Sequence, residues 1–300
     1  MIGLLKSFVP DVDRRLKNLR AVCGLPACRN TQLMRHISGA RSGICVGSVW
    51  YCCVDCFTVA ALASLEKLCS RQVVEIPRYP RMSLGLFLLS KGYLTAKQLR
   101  AATVQSQCLD EGIEETLVKL GMVTEKQLAA ARSAQWGYPV LAPEHAGQKV
   151  EADIPKTILN ACMAVPLHYS DAAKRILVGF AARVEHRFLE SIEEITRCRV
   201  ESCFITPTYF EEQMARLATP RDYEEVVVDN PGLPDQMAST VGRIAGQVAA
   251  SEAIFGLCRN LVLVRLAGKR GKTDIVFRMR CNVAVEIGEH SGIFSDAIAV

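Results

Sequence analysis

"LLSKGYLTAKQL" (residues 88–99) and "LVKLGMVTEKQL" (residues 117–128) are two copies of one short pattern, separated by 29 positions. Six of the twelve positions are identical, and they are Leu, Gly, Thr, Lys, Gln and Leu at the same offsets. A pattern that recurs at a fixed spacing is typical of one supersecondary unit used twice. The fold of the middle of this chain therefore follows from the structure of that unit.

Each copy predicts a helix, a tight glycine turn and a second helix. Gly92 and Gly121 stand where the first helix of each copy ends, and glycine readily adopts the left-handed conformation needed there. A Thr-x-x-Gln sequence follows at 95–98 and at 124–127. This is the pattern of a capping box, in which the Thr oxygen accepts from a backbone amide and the Gln side chain reaches back to the Thr amide.

Apolar residues of both copies recur at spacings that place them on one side of the two helices. They are Leu84, Leu88, Leu94, Leu99, Ile113, Leu117, Val123 and Leu128. Neither hairpin could bury this side alone. We therefore expect the two copies to pack together as a pseudo-symmetric pair around a shared core.

The pair, with "QWGYPV" (135–140) after it, resembles the N-terminal domain of type II secretion and type IV pilus assembly ATPases, known as the MshEN-type or GspE N-terminal domain. The family pattern is Arg-Leu-Gly, two residues, Leu, three residues, Gly, six residues, Leu, six residues, Gln, written twice with a five-residue gap. The positions that fit it in register are Leu84, Gly85, Leu88, Gly92, Leu99, Ile113, Leu117, Gly121, Leu128 and Gln135.

The resemblance continues beyond the repeat. Residues 153–217 predict helix, strand, strand, helix, strand, helix, which is similar to the α/β half that follows the repeat in the family. The resemblance thus covers about residues 78–218 of the 300.

Cyclic di-GMP is the ligand that the resemblance implies, since some family members bind it through both motifs. The ten matching residues are then the candidate ligand-binding set. Four positions differ from the pattern, however. Ser83 and Gly112 replace the two motif arginines, Glu114 replaces the glycine of Arg-Leu-Gly in the second copy, and Ser106 replaces the glutamine of the first copy. Loss of two charge-assisted hydrogen bonds, each worth roughly 1.5–3 kcal/mol, would weaken binding by orders of magnitude. Arg81 is the residue that could compensate.

Cysteine is concentrated near the N-terminus, where six of the thirteen lie within residues 23–56. Cys23 and Cys28 are spaced like a knuckle, and "GICVGSVWYCCVDCF" predicts a short hairpin that delivers Cys52 and Cys56 to the start of a helix, "TVAALASLEKL". Two thiolate pairs in such positions are typical of a treble-clef zinc finger. The sequence therefore predicts that these four cysteines bind a structural zinc ion, which stabilises a module too small to rely on its own core.

Two alternatives stay open for these cysteines. The pair next to the helix is either Cys52 with Cys56 or Cys53 with Cys56, and Cys45 and His36 are spare candidates. The six thiols are also compatible with a degenerate finger or with buried cysteines that bind no metal.

Composition indicates a folded protein, because the hydrophobic fraction is 50%. Many cysteines without a secretory signal are typical of a reducing compartment, so we expect a cytoplasmic protein. No stretch approaches the ~18 consecutive apolar residues of a membrane-spanning helix, so we expect no membrane span.

Two seams rich in proline, at residues 71–83 and 219–236, divide the sequence into three parts. We expect an α+β multidomain fold, with a small Cys-rich zinc finger, a tandem helical-hairpin repeat followed by an α/β subdomain, and a C-terminal helix plus β-hairpin. The predicted domains are 15–70 for the finger, 78–218 for the ATPase-like domain (78–140 repeat, 141–218 α/β subdomain) and 232–300 for the C-terminal segment.

The C-terminal segment predicts a helix over 236–256 and then a hairpin, in which "LVLVRL" and "DIVFRM" flank "AGKRGKTD" (267–274). Two short strands are not stable alone. We therefore expect this segment to dock on the middle domain or on a second copy of the chain in a homodimer.

No catalytic group of residues stands out. "AGKRGKTD" has Leu266 where a P-loop requires its first glycine, so we expect no ATPase domain, and the five His are scattered without a nucleophile beside them. The sequence favours a non-enzymatic adaptor that contacts a protein partner in secretion, pilus or signalling machinery.

Two other functions compete with the adaptor. The first alternative is a cyclic di-GMP sensor that uses the tandem motif. The second is a DNA-binding regulator led by the finger, because residues 14–54 contain seven Arg or Lys and no Asp or Glu. A single finger more often contacts protein, so nucleic acid is the less favoured partner.

Overall fold

The computed structural model describes residues 20–33, 43–70, 82–141, 153–170 and 172–279. The fold is of the α+β class, with a cysteine cluster near its N-terminus, as predicted. The strands are β1 (Arg20–Val22), β2 (Thr31–Leu33), β3 (Ile44–Val46), β4 (Val49–Tyr51), β5 (Ala164–Ser170), β6 (Arg175–Phe180), β7 (Arg199–Phe204), β8 (Tyr223–Asp229), β9 (Ala250–Cys258), β10 (Leu261–Gly268) and β11 (Gly271–Arg278). The helices are α1 (Val54–Cys69), α2 (Leu84–Ser90), α3 (Ala96–Leu109), α4 (Ile113–Lys119), α5 (Glu125–Trp136), α6 (Lys156–Cys162), α7 (His186–Thr196), α8 (Pro207–Arg216) and α9 (Pro234–Gln247).

The repeat forms two interlocked helical hairpins, α2–α3 and α4–α5. Both capping boxes are present, at Thr95 and at Thr124. Gly92 and Gly121 have φ angles of 72° and 66°, in the left-handed region. Helix α2 packs against α5 and α3 packs against α4, so each hairpin covers the apolar side of the other. This confirms the predicted helix–turn–helix units and their shared core.

The pseudo-symmetry of the hairpins extends to individual hydrogen bonds. The Gln135 side chain donates from Nε2 to the Met82 carbonyl at 2.6 Å. The Ser106 hydroxyl, 29 positions earlier, donates to the Glu111 carbonyl at 2.7 Å, and Glu111 lies 29 positions after Met82. Each bond fixes the chain just before the first helix of one hairpin to the second helix of the other. Serine thus makes the equivalent contact at the position where the family motif has glutamine.

The α/β half follows the predicted order of α6, β5, β6, α7, β7 and α8. Its three-stranded sheet has β5 antiparallel and β7 parallel to the central strand β6. The segment after α5 runs along this sheet, where the Leu141 amide donates to the Phe204 carbonyl at 2.9 Å and the Phe204 amide donates to the Pro139 carbonyl at 2.7 Å. The repeat and the α/β half are therefore joined by backbone pairing.

A second, six-stranded sheet has the order β4-β3-β9-β10-β11-β8. Strands β9, β10 and β11 are antiparallel, whereas β3 is parallel to β9 and β8 is parallel to β11. This sheet combines strands from the N-terminal cysteine module with strands from the C-terminal segment. The two ends of the chain thus build one layer.

The large sheet buries a core on each face, because alternate residues of β10 point to opposite sides. One face packs against α1 and α9, with Phe57, Val241 and Val262 among the buried residues. The other face packs against the α/β half, with Phe188 and Leu263 in its core. The C-terminal strands therefore do contact the middle of the chain, but they also contact the helix that follows the cysteines.

The structure differs from two predictions about the C-terminal segment. The predicted helix over 236–256 ends at Gln247, and Ala249 turns the chain with a φ of 50°, so that residues 250–258 form strand β9 between β3 and β10. The seam at 219–236 contains strand β8, which pairs in parallel with β11. In both places pairing with distant strands decides the conformation. The hairpin around "AGKRGKTD" is confirmed as β10 and β11.

Parts of the predicted organisation lie outside the described residues, namely residues 71–81 of the first seam, His36, Arg81 and the tail after 279. The division into three domains stays a prediction. None of the described helices combines the length and the apolar composition that a membrane-spanning helix requires.

Candidate metal centre and the paired hairpins

Four thiols form the candidate metal centre. The sulfur atoms of Cys23, Cys28, Cys52 and Cys56 all lie within 4.8 Å of one another. The Sγ–Sγ distances are 3.6 Å for Cys28 and Cys52 and 3.7 Å for Cys52 and Cys56. A tetrahedron with a metal–sulfur distance of about 2.3 Å, which is typical of zinc, has edges of about 3.8 Å. The group therefore fits a tetrahedrally bound metal ion.

Local structure explains how these thiols meet. Cys23 follows β1, and its amide donates to the Asn30 carbonyl at 3.0 Å across a tight knuckle that also holds Cys28. Cys52 follows β4, and Cys56 lies in the first turn of α1. The Gly24 amide donates to the carbonyl of buried Trp50 at 2.8 Å, which joins the knuckle to the β3–β4 hairpin.

The remaining cysteines of this region are placed differently. Cys53 is exposed at the N-cap of α1 and does not belong to the four-thiol group. Cys45 packs beside the group without joining it. The structure thus places Cys52 in the four-thiol group with Cys56, whereas the Cys53 thiol lies next to Cys56 but outside that group.

The thiols of the group influence one another's ionisation. Burial, the largest single influence, raises the pKa of Cys23, but hydrogen bonds from Cys52 and Leu25 and from neighbouring thiols together lower it to about 7. Burial and then the hydrogen bond with Cys28 raise the pKa of Cys52 to about 11. A divalent cation would favour deprotonation of all four ligands, because thiolates are the form that binds metal.

The ten residues of the predicted cyclic di-GMP set serve mainly to build the hairpins. Leu88, Leu117 and Leu128 are fully buried in the hairpin core. Leu84, Leu99 and Ile113 are partly buried against that core.

The remaining residues of the set hold the backbone in place. Gly92 and Gly121 make the turns, and Gln135 bonds to the Met82 carbonyl. Gly85 faces Leu99 so closely that a Cβ added to the glycine would lie 2.9 Å from Leu99 Cδ1. The motif is therefore explained by packing and turn geometry without reference to a ligand.

The positions of the missing arginines have other contacts. Ser83 caps α2 by accepting a hydrogen bond from the Leu86 amide. Gly112 is the N-cap of α4 and offers no side chain. Glu114 pairs with the guanidinium of Arg132, which is buried and also donates to the Ala181 carbonyl. The carboxylate is thus already neutralised by a cation of the next helix.

Sequence reasoning missed Arg132, although a signal was present. Glu114 replaces the residue that corresponds to Gly85, and Arg132 replaces the residue that corresponds to Thr103, both 29 positions earlier. One copy therefore gains an acid and a base together, which indicates an ion pair between its two helices.

A second ion pair, which is buried on both sides, was also missed. Arg265 of β10 donates from Nε to Asp274 Oδ1 of β11 at 2.7 Å, and the Tyr223 hydroxyl donates to the other oxygen at 2.9 Å. The Arg265 side chain also donates to the Asp153 carbonyl, just before α6. This network fixes the large sheet to the α/β half.

Part of the chain is similar to known proteins. No family model matches it. The type IV pilus assembly ATPase PilB of Thermus thermophilus is 26% identical over 135 residues, which is 44% of this chain but 15% of that protein. The chain therefore spans a small part of this curated relative.

Similar solved structures were also found. A structure of MshE with cdg shares 17% identity and covers 46% of this chain and 100% of that one, with a TM-score of 0.38. The N-terminal domain of XpsE shares 16% identity and covers 46% of this chain and 99% of that one, with a TM-score of 0.37. Both structures cover less than half of this chain, and both TM-scores are low.

Proposed function

We propose that this protein is a non-enzymatic adaptor that contacts a protein component of secretion, pilus or signalling machinery. The observation that supports the proposal most is the pair of interlocked hairpins, in a chain that is 26% identical over 135 residues to a pilus assembly ATPase. The motif residues of these hairpins hold the fold together, and the arginines that would hold an anionic ligand are absent.

Several contacts make the hairpins a firm platform. The Glu125 carboxylate of α5 accepts from the Thr208 amide at 3.2 Å and from the Thr208 hydroxyl at 2.9 Å, at the N-terminus of α8. The Arg132 guanidinium bonds to the Ala181 carbonyl of the α/β half. A partner that binds the repeat would therefore engage a surface whose orientation is set by the rest of the chain.

The surface of the hairpins offers apolar contacts. Large apolar side chains with exposures of 42–62% include Met82, Leu86, Val104 and Leu109. Desolvated apolar side chains contribute much of the binding energy at protein interfaces. These residues favour a protein over a nucleic acid as the partner of the repeat.

The cysteine module has a structural part in this proposal. Cys23, Cys28, Cys52 and Cys56 would hold a zinc ion, and four thiolates leave no open position for catalysis. The bound ion would stabilise the start of α1, whose Phe57 and Leu65 lie in the core shared with α9. Zinc would thus stabilise the large sheet, which contains strands from both ends of the chain.

Site-specific photo-crosslinking in cells tests the adaptor proposal. A photoreactive phenylalanine analogue is placed at Leu86, and a matched variant carries it at Glu115, the corresponding and exposed position of the second copy. We expect protein adducts at Leu86, identified by mass spectrometry as a component of secretion, pilus or signalling machinery, and fewer adducts at Glu115. The absence of protein adducts at Leu86, Val104 and Leu109 would contradict the proposal.

Cyclic di-GMP sensing is the alternative for the same segment. It draws on the family likeness, but Ser83 and Gly112 supply no charge, and the Glu114 carboxylate is held by Arg132. DNA binding by the finger rests on the basic residues 14–54, of which the structure describes 20–33 and 43–54. Neither alternative has a described site of its own.

A further inference from the structure

Two buried cysteines lie in contact far from the four-thiol group. Cys162 ends α6, Cys258 ends β9, and their sulfur atoms are 3.2 Å apart. Both side chains are buried, with exposures of 0% and 1%. The two residues are 96 positions apart in the chain, so the contact joins the α/β half to the large sheet.

Neighbouring groups hold both cysteines in position. The Arg259 side chain donates to the Ala161 carbonyl, so the residues adjacent to the two cysteines are bonded to each other. The same guanidinium pairs with Glu185 at 3.2 Å. The sulfur atoms are therefore brought together by contacts that do not depend on the thiols themselves.

The other buried cysteines that the structure describes outside the four-thiol group do not share this arrangement. The Cys198 thiol donates to the Thr196 carbonyl at 3.4 Å, and the Cys203 thiol donates to the Val178 carbonyl at 3.7 Å. Each of these has a backbone oxygen as its partner. Cys162 and Cys258 instead have each other.

We propose that Cys162 and Cys258 form a reversible disulfide, with hydrogen peroxide as the oxidant, that staples the α/β half to the large sheet. The sulfur atoms need to approach by about 1 Å to reach the bond length of about 2.05 Å. The hydrogen bond with Cys258, and burial, raise the pKa of Cys162. A hydrogen bond from Cys162, opposed by burial, lowers the pKa of Cys258.

The reaction balances in two steps. The Cys258 thiolate attacks one oxygen of hydrogen peroxide, the O–O bond breaks, and Cys258 becomes a sulfenic acid while hydroxide leaves. The Cys162 sulfur then attacks the sulfenic sulfur, the S–S bond forms and the S–O bond breaks. The released hydroxyl group and the protons leave as water, so two thiols and one peroxide give one disulfide and two waters. Thiol–disulfide exchange with a dithiol reductant reverses the bond.

Peptide mapping of the full chain tests the disulfide. Reduced protein is exposed to hydrogen peroxide, unfolded in the presence of an alkylating agent and digested without reductant for mass spectrometry. We expect a peptide pair linked through Cys162 and Cys258 that disappears after treatment with dithiothreitol. We also expect the oxidised protein to melt roughly 5–10 °C higher, because the cross-link closes a long loop of the unfolded chain.

Variants sharpen this test. Cys162→Ala should abolish the linked peptide and the melting shift, whereas Cys203→Ala, which also removes one buried thiol, should leave both unchanged. The mapping on wild-type protein needs no variant, so a variant that fails to fold does not decide the outcome. The proposal is overturned if the exposed Cys53 and Cys108 are oxidised while Cys162 and Cys258 are recovered as free thiols. It is also overturned if Cys162 or Cys258 is linked to a different cysteine.

Discussion

Adjacent cysteines give a sharp test of the metal centre, because Cys52 belongs to the four-thiol group and Cys53 does not. We predict that Cys52→Ala loses the metal and that Cys53→Ala retains it. Structural zinc sites contribute an apparent binding free energy of about 10–16 kcal/mol in small peptides. One ligand in four then accounts for about 2.5–4 kcal/mol, so metal affinity should fall by about 10²–10³-fold.

Loss of the metal ion should also destabilise the core that packs against the large sheet. Helix α1 begins beside Cys52 and Cys56, and its Phe57 and Leu65 pack with Val241 of α9. Disorder at the start of α1 would expose these side chains. Cys52→Ala should therefore lower the melting temperature, whereas Cys53→Ala, which changes an exposed thiol, should not.

Elemental analysis of purified, chelator-washed protein measures the effect as metal per chain, and calorimetry gives the melting temperatures. We expect one equivalent of zinc in wild type and in Cys53→Ala, and a small fraction of an equivalent in Cys52→Ala. Equal metal content in the two variants, or loss confined to Cys53→Ala, would refute the assignment of the ligands.

Three further predictions concern folding stability, measured by urea denaturation. Leu117→Ala should lower the free energy of unfolding by about 2–5 kcal/mol because it opens a cavity in the hairpin core, whereas Leu109→Ala, at an exposed site, should change it by less than about 0.5 kcal/mol. Glu114→Gln should destabilise by roughly 1.5–3 kcal/mol because it leaves a buried guanidinium without its carboxylate, and Glu115→Gln should have little effect; equal values would argue against the ion pair. Burial, the largest single influence, raises the pKa of Glu185. The hydrogen bonds and charges of the nearby arginines together lower it by more, so the net shift is downward. A carboxylate with a lowered pKa stabilises the fold at pH values above its ordinary pKa, and this stabilisation is lost as the pH falls through the lowered pKa. The difference in free energy of unfolding between wild type and Glu185→Gln should therefore shrink from pH 7 to acidic pH. A difference that grows would contradict this.

Local signals made much of the fold predictable. The capping boxes at Thr95 and Thr124 and the turns at Gly92 and Gly121 involve residues within a few positions of one another. Their chemistry is the same in any context that permits a helix. The spacing of the four cysteines likewise restricted which thiols could meet.

Features that depend on distant residues were not predictable in this way. Residues 250–258 include two Ala, one Glu and one Gly among nine positions, and most of them were predicted as part of a helix, yet they form β9 because β3 and β10 pair with its two edges. The contact between Cys162 and Cys258 spans 96 positions and follows from docking of the large sheet on the α/β half. The Glu114–Arg132 ion pair could be predicted only in part. Its two residues are 18 positions apart, and the sequence reveals them only when the two copies of the repeat are compared.

Isothermal titration of the full, metal-loaded chain with cyclic di-GMP tests most directly whether the paired hairpins are a self-contained scaffold. The residues of the hairpin motifs pack in the core, form turns or make hydrogen bonds within the chain. The two positions that carry arginine in the family motif are Ser83 and Gly112, and the Glu114 carboxylate is paired with Arg132. We predict no saturable heat at ligand concentrations of roughly several hundred micromolar, at which a ligand with a Kd of about 1 µM would saturate its site. Saturable binding with a low-micromolar Kd, weakened by Gln135→Ala, would contradict this account and favour the sensor.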